Sequence, residues 1–297
     1  MTKTLRSTFL LLAGVLLPLG SVAEEPSADA VARELANPNT ALASLTFKNT
    51  WTAYKGDLDG ADDEGGFTTL FQPVLPFPLE NGDKIMWRPA VPLVFDMPVF
   101  DGSGVDPNGT PTARSVAGFG GFDSESGLGD IAFDLLYAIT SETGVLSGYG
   151  IIASLPTATE EALGRDKWTL GPEDFLGKLS EKSVLGVLVN HQWDIAGSDD
   201  VVDDVSLTTF NLFGVYLPSG GWNVGSFPII SYDWEEEQWT FPVSFAVGRT
   251  MVFGGRPWKF QVDFNYFVEQ ADPFGPDWSI SFNVTPVIEN FMVDWFK

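Results

Sequence analysis

The sequence predicts an all-β chain: a single antiparallel transmembrane β-barrel of about 12 strands behind a short N-terminal periplasmic segment. Three observations carry that expectation. First, between Trp239 and Val268 the residues Trp239, Phe241, Val243, Phe245 and Val247 alternate with small or polar ones. After a glycine turn, Trp258, Phe260, Val262, Phe264 and Tyr266 alternate with Lys259, Gln261, Asp263 and Asn265. A period of two puts each set on one face of a strand, and arms of about 10 residues match a tilted membrane-crossing strand. Aromatic residues at both ends of an apolar face suit lipid, where Trp and Tyr settle at the two interfaces. Second, the connections between strand-like segments alternate between long and short. Third, the chain opens with an export pattern and contains no cysteine.

Lys3 and Arg6 precede the apolar run Phe9 to Leu19, which Ser21-Val22-Ala23 follows. This predicts a secretory signal over 1–23, cleaved after Ala23. The run is too short for a spanning helix, which needs about 20 apolar residues. Over 24–41, Ser27 as N-cap and the alanine-rich stretch Asp29 to Ala36, stopped by Asn37-Pro38, predict a short periplasmic helix, free or tucked under the barrel. The barrel is expected over 42–297.

Its strands are expected in order at Leu45–Tyr54, Phe67–Phe77, Ile85–Phe95, Leu128–Ile139, Val145–Leu155, Trp168–Leu179, Val184–Trp193, Val205–Leu217 and Trp222–Asp233, then the Trp239–Val268 hairpin and a last strand from Trp278. Pro73, Pro76, Pro89, Pro92 and Pro242 fall inside these segments. Proline forfeits ladder bonds, which predicts edges or bulges there. The connections Lys55–Gly66, Asp96–Gly127, Pro156–Lys167, Asp194–Asp204, Trp234–Gln238 and Glu269–Asp277 are mostly long and nearly all acidic. Those at Pro78–Lys84, Thr140–Gly144, Ser180–Ser183, Pro218–Gly221 and Phe253–Arg256 are short. An up-and-down barrel with short periplasmic turns and long extracellular loops predicts this alternation. The expected aromatic girdle is Trp51, Trp168, Trp193, Trp234, Trp239 and Trp278 at the long-loop end, with Trp222, Trp258 and Trp295 at the other.

Composition narrows the function classes. Without cysteine an exported chain has no disulfide framework, thiolate metal site or Cys nucleophile. A net charge of −24 argues against nucleic-acid partners, which require basic patches. No cofactor is implied.

Several stretches carry a family resemblance: Glu34-Leu35-Ala36-Asn37-Pro38 with Ala43-Ser44-Leu45-Thr46-Phe47-Lys48-Asn49, Gly127-Leu128-Gly129-Asp130-Ile131, Leu155-Pro156-Thr157-Ala158-Thr159, Val189-Asn190-His191-Gln192-Trp193, and Tyr232-Asp233-Trp234 with Gln238-Trp239-Thr240-Phe241-Pro242-Val243. On these the chain resembles the outer-membrane proteins associated with the meta-cleavage pathway of phenol degradation, some of which carry the misleading label neuromedin U. The resemblance runs from Glu34 to about Val284. It implies a Gram-negative outer-membrane barrel for passage or binding of small aromatic or hydrophobic solutes. Its partners would be outer-membrane lipid, lipopolysaccharide and the barrel-assembly machinery. The end departs from the family: Phe296 is penultimate, before Lys297, which leaves the last strand's register open.

The polar residues expected to line the lumen are Lys48, Arg88, Asp130, Asp134, Asn190, Gln192, Lys259, Gln261, Asp263 and Asn265. They either pair across a filled barrel or line a solute path. His191, the one histidine, falls on the outward face with Trp193, without the aligned Ser or Asp partner that catalysis needs. No catalytic residue is expected. The acidic loop Asp57–Glu64, with Asp57, Asp59 and Asp62 as metal-ligand candidates, lacks EF-hand spacing. With the second acidic run, Asp199–Asp204, it keeps open a structural or adhesive barrel with cation-binding loops. A lipid-modifying barrel enzyme is a further, disfavoured alternative.

Overall fold

The computed structural model describes residues 27–101, 121–198, 204–290 and 292–293. The expected signal, Trp295, Phe296 and most of the second acidic run lie outside them. Among the described residues, fourteen strand segments follow one α-helix, α1 (Ala28–Ala36): β1 (Ala43–Lys55), β2 (Gly65–Pro78), β3 (Lys84–Asp101), β4 (Gly121–Leu128), β5 (Ile131–Thr140), β6 (Val145–Leu155), β7 (Lys167–Leu179), β8 (Ser183–Gly197), β9 (Ser206–Tyr216), β10 (Trp222–Ser226), β11 (Ile229–Asp233), β12 (Gln238–Phe253), β13 (Arg256–Glu269) and β14 (Gly275–Ile288).

Two staves are interrupted. β4 and β5 both pair with β3, and β10 and β11 both lie between β9 and β12, so the segments make 12 staves. β14 pairs antiparallel with β1, matching Trp51 with Ile280 and Lys48 with Asn283, and closes the barrel. Closure removes the sheet edge that would otherwise expose backbone donors to hydrocarbon. No helix among the described residues is long and apolar enough to cross a membrane.

The expected strands are all present, most with longer ends; Val145–Leu155 keeps its expected bounds, and the eighth, Ser206–Tyr216, is one residue shorter at each end. What the sequence presented as one segment from Leu128 splits at Gly129-Asp130, and the ninth splits at Phe227-Pro228. The last strand begins at Gly275 and keeps an unbroken register against β13 from Trp258↔Pro286 to Tyr266↔Trp278. Beyond it, Asn290 donates to the Pro76 carbonyl at 2.7 Å.

The prolines correct one expectation. A closed barrel has no edge, and Pro73, Pro76, Pro89 and Pro92 sit inside interior staves. The β2–β3 ladder pairs Phe71 with Val91 and resumes only at Leu75 with Trp87. Pro73 and Pro89 have no N–H to give in that gap. Pro242 does mark a register shift, between β12 and β13.

The outer face is apolar. Phe47, Trp51, Phe95, Tyr149, Leu176, Val243, Phe245, Phe264, Ile280 and Phe282 are exposed there, an area no soluble monomer would leave uncovered. Beside the long loops Trp51 packs on Trp278 at 4.8 Å, and Tyr232 packs on Trp234 at 4.8 Å and Trp239 at 4.7 Å. Trp168 and Trp193 are exposed at that end and Trp222 at the other. Trp258 lies beside Phe260.

Inside, polar and apolar regions separate along the axis. Near the short turns Met86, Leu136, Leu146, Phe175, Val184, Leu188 and Val215 form a buried apolar cluster within the barrel. α1 closes that mouth. Ser27 caps it by accepting from the Ala30 amide, and Val31 and Ala32 are buried. Arg33 Nε donates to the Ser180 carbonyl, the Gly221 amide donates to Asp29 Oδ1 at 2.6 Å, and Asn39 Nδ2 donates to the carbonyls of Ile139 and Ser147. Those anchors come from three separate turns round the rim. Gly221 has φ +76, and a Cβ there would meet the Thr250 carbonyl at 2.3 Å and Ala28 at 3.2 Å, so only glycine fits. At the opening hairpin, Gly254 and Gly255, with φ +57 and +77, make the two-residue turn whose twist matches its strands.

Candidate functional site

Three adjoining cavities lie in the lumen among the described residues. The widest, about 480 Å³, lies in mid-barrel between Lys48, Arg88, Asp134, Glu173 and Lys259, with Leu35 and Pro38 from the α1 segment at its floor. A second, about 440 Å³, lies at the long-loop end under Leu163 and Arg165 and is lined by Asp130, Thr169 and Gln192. Both touch Ala132. A third, about 160 Å³, sits beside the helix and shares Leu35 and Lys259 with the first.

One wall of the mid-barrel cavity is ionic. Arg88 Nε donates to Asp134 Oδ1 at 2.7 Å and its Nη2 to Glu173 Oε1 at 3.2 Å. Asn190 Nδ2 donates to Glu173 Oε2 at 3.0 Å. Glu173 is 1% exposed and Asp134 13%, so one guanidinium bridges two carboxylates held away from bulk water. Strand order brings this about. Arg88 and Asp134 face each other across β3 and β5, and Glu173 faces Asn190 across β7 and β8.

The facing wall is built from amides. Asn223 Nδ2 donates to Gln261 Oε1 at 2.9 Å, Gln261 Nε2 to Asp263 Oδ1 at 2.6 Å, and Asn283 Nδ2 to Asp263 Oδ2 at 2.6 Å. Asn265 Nδ2 donates to Ser279 Oγ at 3.2 Å. Lys48 and Lys259 project from this side into the cavity, and neither forms a hydrogen bond or ion pair among the described residues. Apolar surface completes the cavity: Ile152, Leu188, Phe175, Phe213 and Phe227, with the Phe175 and Phe213 rings stacked at 5.8 Å.

Of the expected lumen residues, Lys48, Arg88, Asp134 and Lys259 meet round the mid-barrel cavity, and Asp130 and Gln192 line the second. Asp130 does so from outside the regular strands. It lies at the β4–β5 break, where the amides of Thr157 and Ala158 donate to Oδ1 and that of Arg165 to Oδ2, so it orders the loop above the second cavity. Gln192 accepts from Thr169 Oγ1 at 2.8 Å in the same cavity. Sequence reasoning does not single out Glu173, Asn223 or Asn283. For Glu173 the signal is present: counting from outward Trp168, Leu170 and Leu176 turns Asp174 out and Glu173 in.

His191 is on the outer face as expected. Its Nδ1 lies 2.7 Å from Thr208 Oγ1, which also accepts from Trp234 Nε1, and its ring packs 4.2 Å from that of Trp193. No acidic group completes a dyad there among the described residues. The metal-ligand candidates Asp57, Asp59 and Asp62 are not drawn together either, since no group of three or more acidic or imidazole side chains among the described residues converges on a point.

No known family pattern matches the chain, and no curated protein matches it by sequence. Among solved structures, an outer-membrane channel from Pseudomonas putida F1 is similar with a TM-score of 0.56 at 14% identity, over 83% of this chain and 94% of its own. The NanC porin scores 0.48 at 9% identity, over 82% and 99%. CymD, a monoaromatic hydrocarbon channel, scores 0.42 at 10% identity, over 89% and 94%. At 0.56 the likeness establishes a shared fold with the first; the other two fall below that level. The chain has the fold of an outer-membrane channel barrel.

Proposed function

We propose that this chain is an outer-membrane barrel of a Gram-negative bacterium that admits small aromatic or hydrophobic solutes and carries out no catalysis. The long acidic loops face outward and α1 lies at the periplasmic mouth, after cleavage of a signal at Ala23. The observation that carries the reading is the run of three adjoining cavities from the long loops to α1. Phenylalanines, among them Phe175, Phe213 and Phe227, line the middle one, which supports the aromatic cargo implied by the resemblance to the phenol-degradation family. As an outer-membrane barrel it would have lipopolysaccharide, beside its acidic loops, and the barrel-assembly machinery as partners. The similarly folded Pseudomonas barrel is itself a channel, in agreement. Against catalysis, the single histidine pairs with a threonine on the outer face.

Because α1 stands across the exit, passage requires it to move. In planar bilayers, the wild-type barrel is expected to conduct rarely. Asn39→Ala, which removes the hydrogen bonds of its amide to Ile139, Thr140 and Ser147 on the rim, is expected to raise the open fraction several-fold. If both remain sealed and neither carries an aromatic solute into proteoliposomes, the reading is wrong.

A further inference from the structure

The lumen cations are not equivalent. Arg88 is committed to Asp134 and Glu173, whereas Lys48 and Lys259 line the same cavity without a partner among the described residues. Asp263, on the same face of β13 as Lys259, does not take up that charge by contact. Both its oxygens accept from the amides of Gln261 and Asn283. In a chain of net charge −24, two ammonium groups held inside the barrel are the local exception to a field that repels anions.

Next to them lies apolar surface. Phe175, Phe213 and Phe227 with Leu188 face the same space of about 480 Å³, within the range of small-molecule pockets. A pure hydrocarbon filling it would strip water from both ammonium groups and return nothing, which is costly. A cation would be repelled. A molecule with an apolar body and one carboxylate satisfies both surfaces, since ammonium–carboxylate hydrogen bonds are among the stronger ones.

We infer that the mid-barrel cavity is a binding site for small amphipathic carboxylates, with the acid group held by Lys48 and Lys259 and the apolar body against Phe175, Phe213 and Phe227. This rests on the solute-passage reading and names its cargo class. Specificity would come from the cation pair and affinity from the rings.

The full-length protein in proteoliposomes tests this with 3-phenylpropionate, its neutral counterpart 3-phenylpropan-1-ol, and acetate. The readout is the flux ratio of phenylpropionate to phenylpropanol. It is expected to fall about tenfold in Lys259→Met, equivalent to ~1.4 kcal/mol, to fall in Lys48→Met, and to recover partly in Lys259→Arg. Lys48→Gln and Lys259→Gln replace the Met variants if those fail to insert, with insertion judged by heat-dependent gel mobility. An unchanged ratio in the lysine variants while phenylpropanol still enters overturns the carboxylate site and leaves solute passage standing. Acetate crossing as readily as phenylpropionate, with the same lysine dependence, overturns the amphipathic part by making the lumen a general anion path. Entry of neither aromatic solute overturns passage itself, and this site with it.

Discussion

On the wall formed by β3, β5, β7 and β8, polarity is held by one guanidinium between two carboxylates. About half-way round the barrel, on β10, β13, β14 and β1, it is held by a relay of amides ending on a single carboxylate, with two lysines beside it. The first arrangement has a fixed direction: Arg88 only donates, while Asp134 and Glu173 only accept. In the second each amide carries both a donor and an acceptor, so its direction is set by Asp263 alone, and replacing that carboxylate would free it to reverse. Asn223 Oδ1 and Asn283 Oδ1 are buried without partners, so the relay holds unused capacity. The ionic wall is therefore braced, and the amide wall is adaptable. A cargo that needs donors would be served by the second.

The largest effect should follow from breaking the braced wall. Arg88→Met leaves Glu173 and Asp134 facing each other, with 1% and 13% of their side chains exposed. Removing one partner of a buried pair costs about 3–5 kcal/mol. Water in the adjoining cavity can reach Asp134 though not Glu173, so the low end, about 3 kcal/mol, is expected, measured as urea stability of the detergent-refolded barrel. A loss under about 1 kcal/mol would mean that the two walls do not differ in this way.

How much of this contrast the sequence discloses depends on how each strand is patterned. Along β13 the alternation of Trp258, Phe260, Val262 and Phe264 with Lys259, Gln261 and Asp263 is unambiguous, and that strand's share of the amide wall is legible from it, though not Asn223 or Asn283. In β7 two carboxylates are adjacent, Glu173 and Asp174, and only the parity of distant Trp168 and Leu176 separates them. Near the short turns the alternation fails altogether. Val145 is exposed and Leu146 buried, both apolar, because this part of the lumen is filled with side chains rather than water. Asp130 is hard to place by pattern for another reason. At a break between strands no period applies, and three backbone amides claim it. The position of α1 rests on Asn39, Arg33 and Asp29 reaching residues about 100 to 190 positions away, which no local pattern encodes.

A smaller effect separates two substitutions on the adaptable wall. In Asp263→Asn the introduced amide meets the Gln261 amide head-on, but Gln261 and Asn223 can both turn over. Gln261 Nε2 would then donate to the vacant Asn223 Oδ1, and Gln261 Oε1 would accept from the introduced amide. Only charge assistance is lost, about 1 kcal/mol. Asp263→Leu strands the Gln261 and Asn283 donors together and should cost about 2–3 kcal/mol. Equal losses for the two variants in urea melts would show that the relay does not reverse.

The smallest stability change should come from Lys259→Met, and that smallness is the informative result. Lys259 has no hydrogen bond or ion pair to lose among the described residues, and its aliphatic stem lies along a cavity wall that methionine can cover. The expected change is within about 0.5 kcal/mol, against about 3 kcal/mol for Arg88→Met, although both are cations facing one cavity. A loss of about 2 kcal/mol or more would reveal a structural partner for Lys259 and make it part of the barrel's internal bracing. Near-neutral stability together with an altered phenylpropionate flux ratio places the same side chain on the solute path. A charge retained inside a barrel without stabilising it is then explained by what passes it.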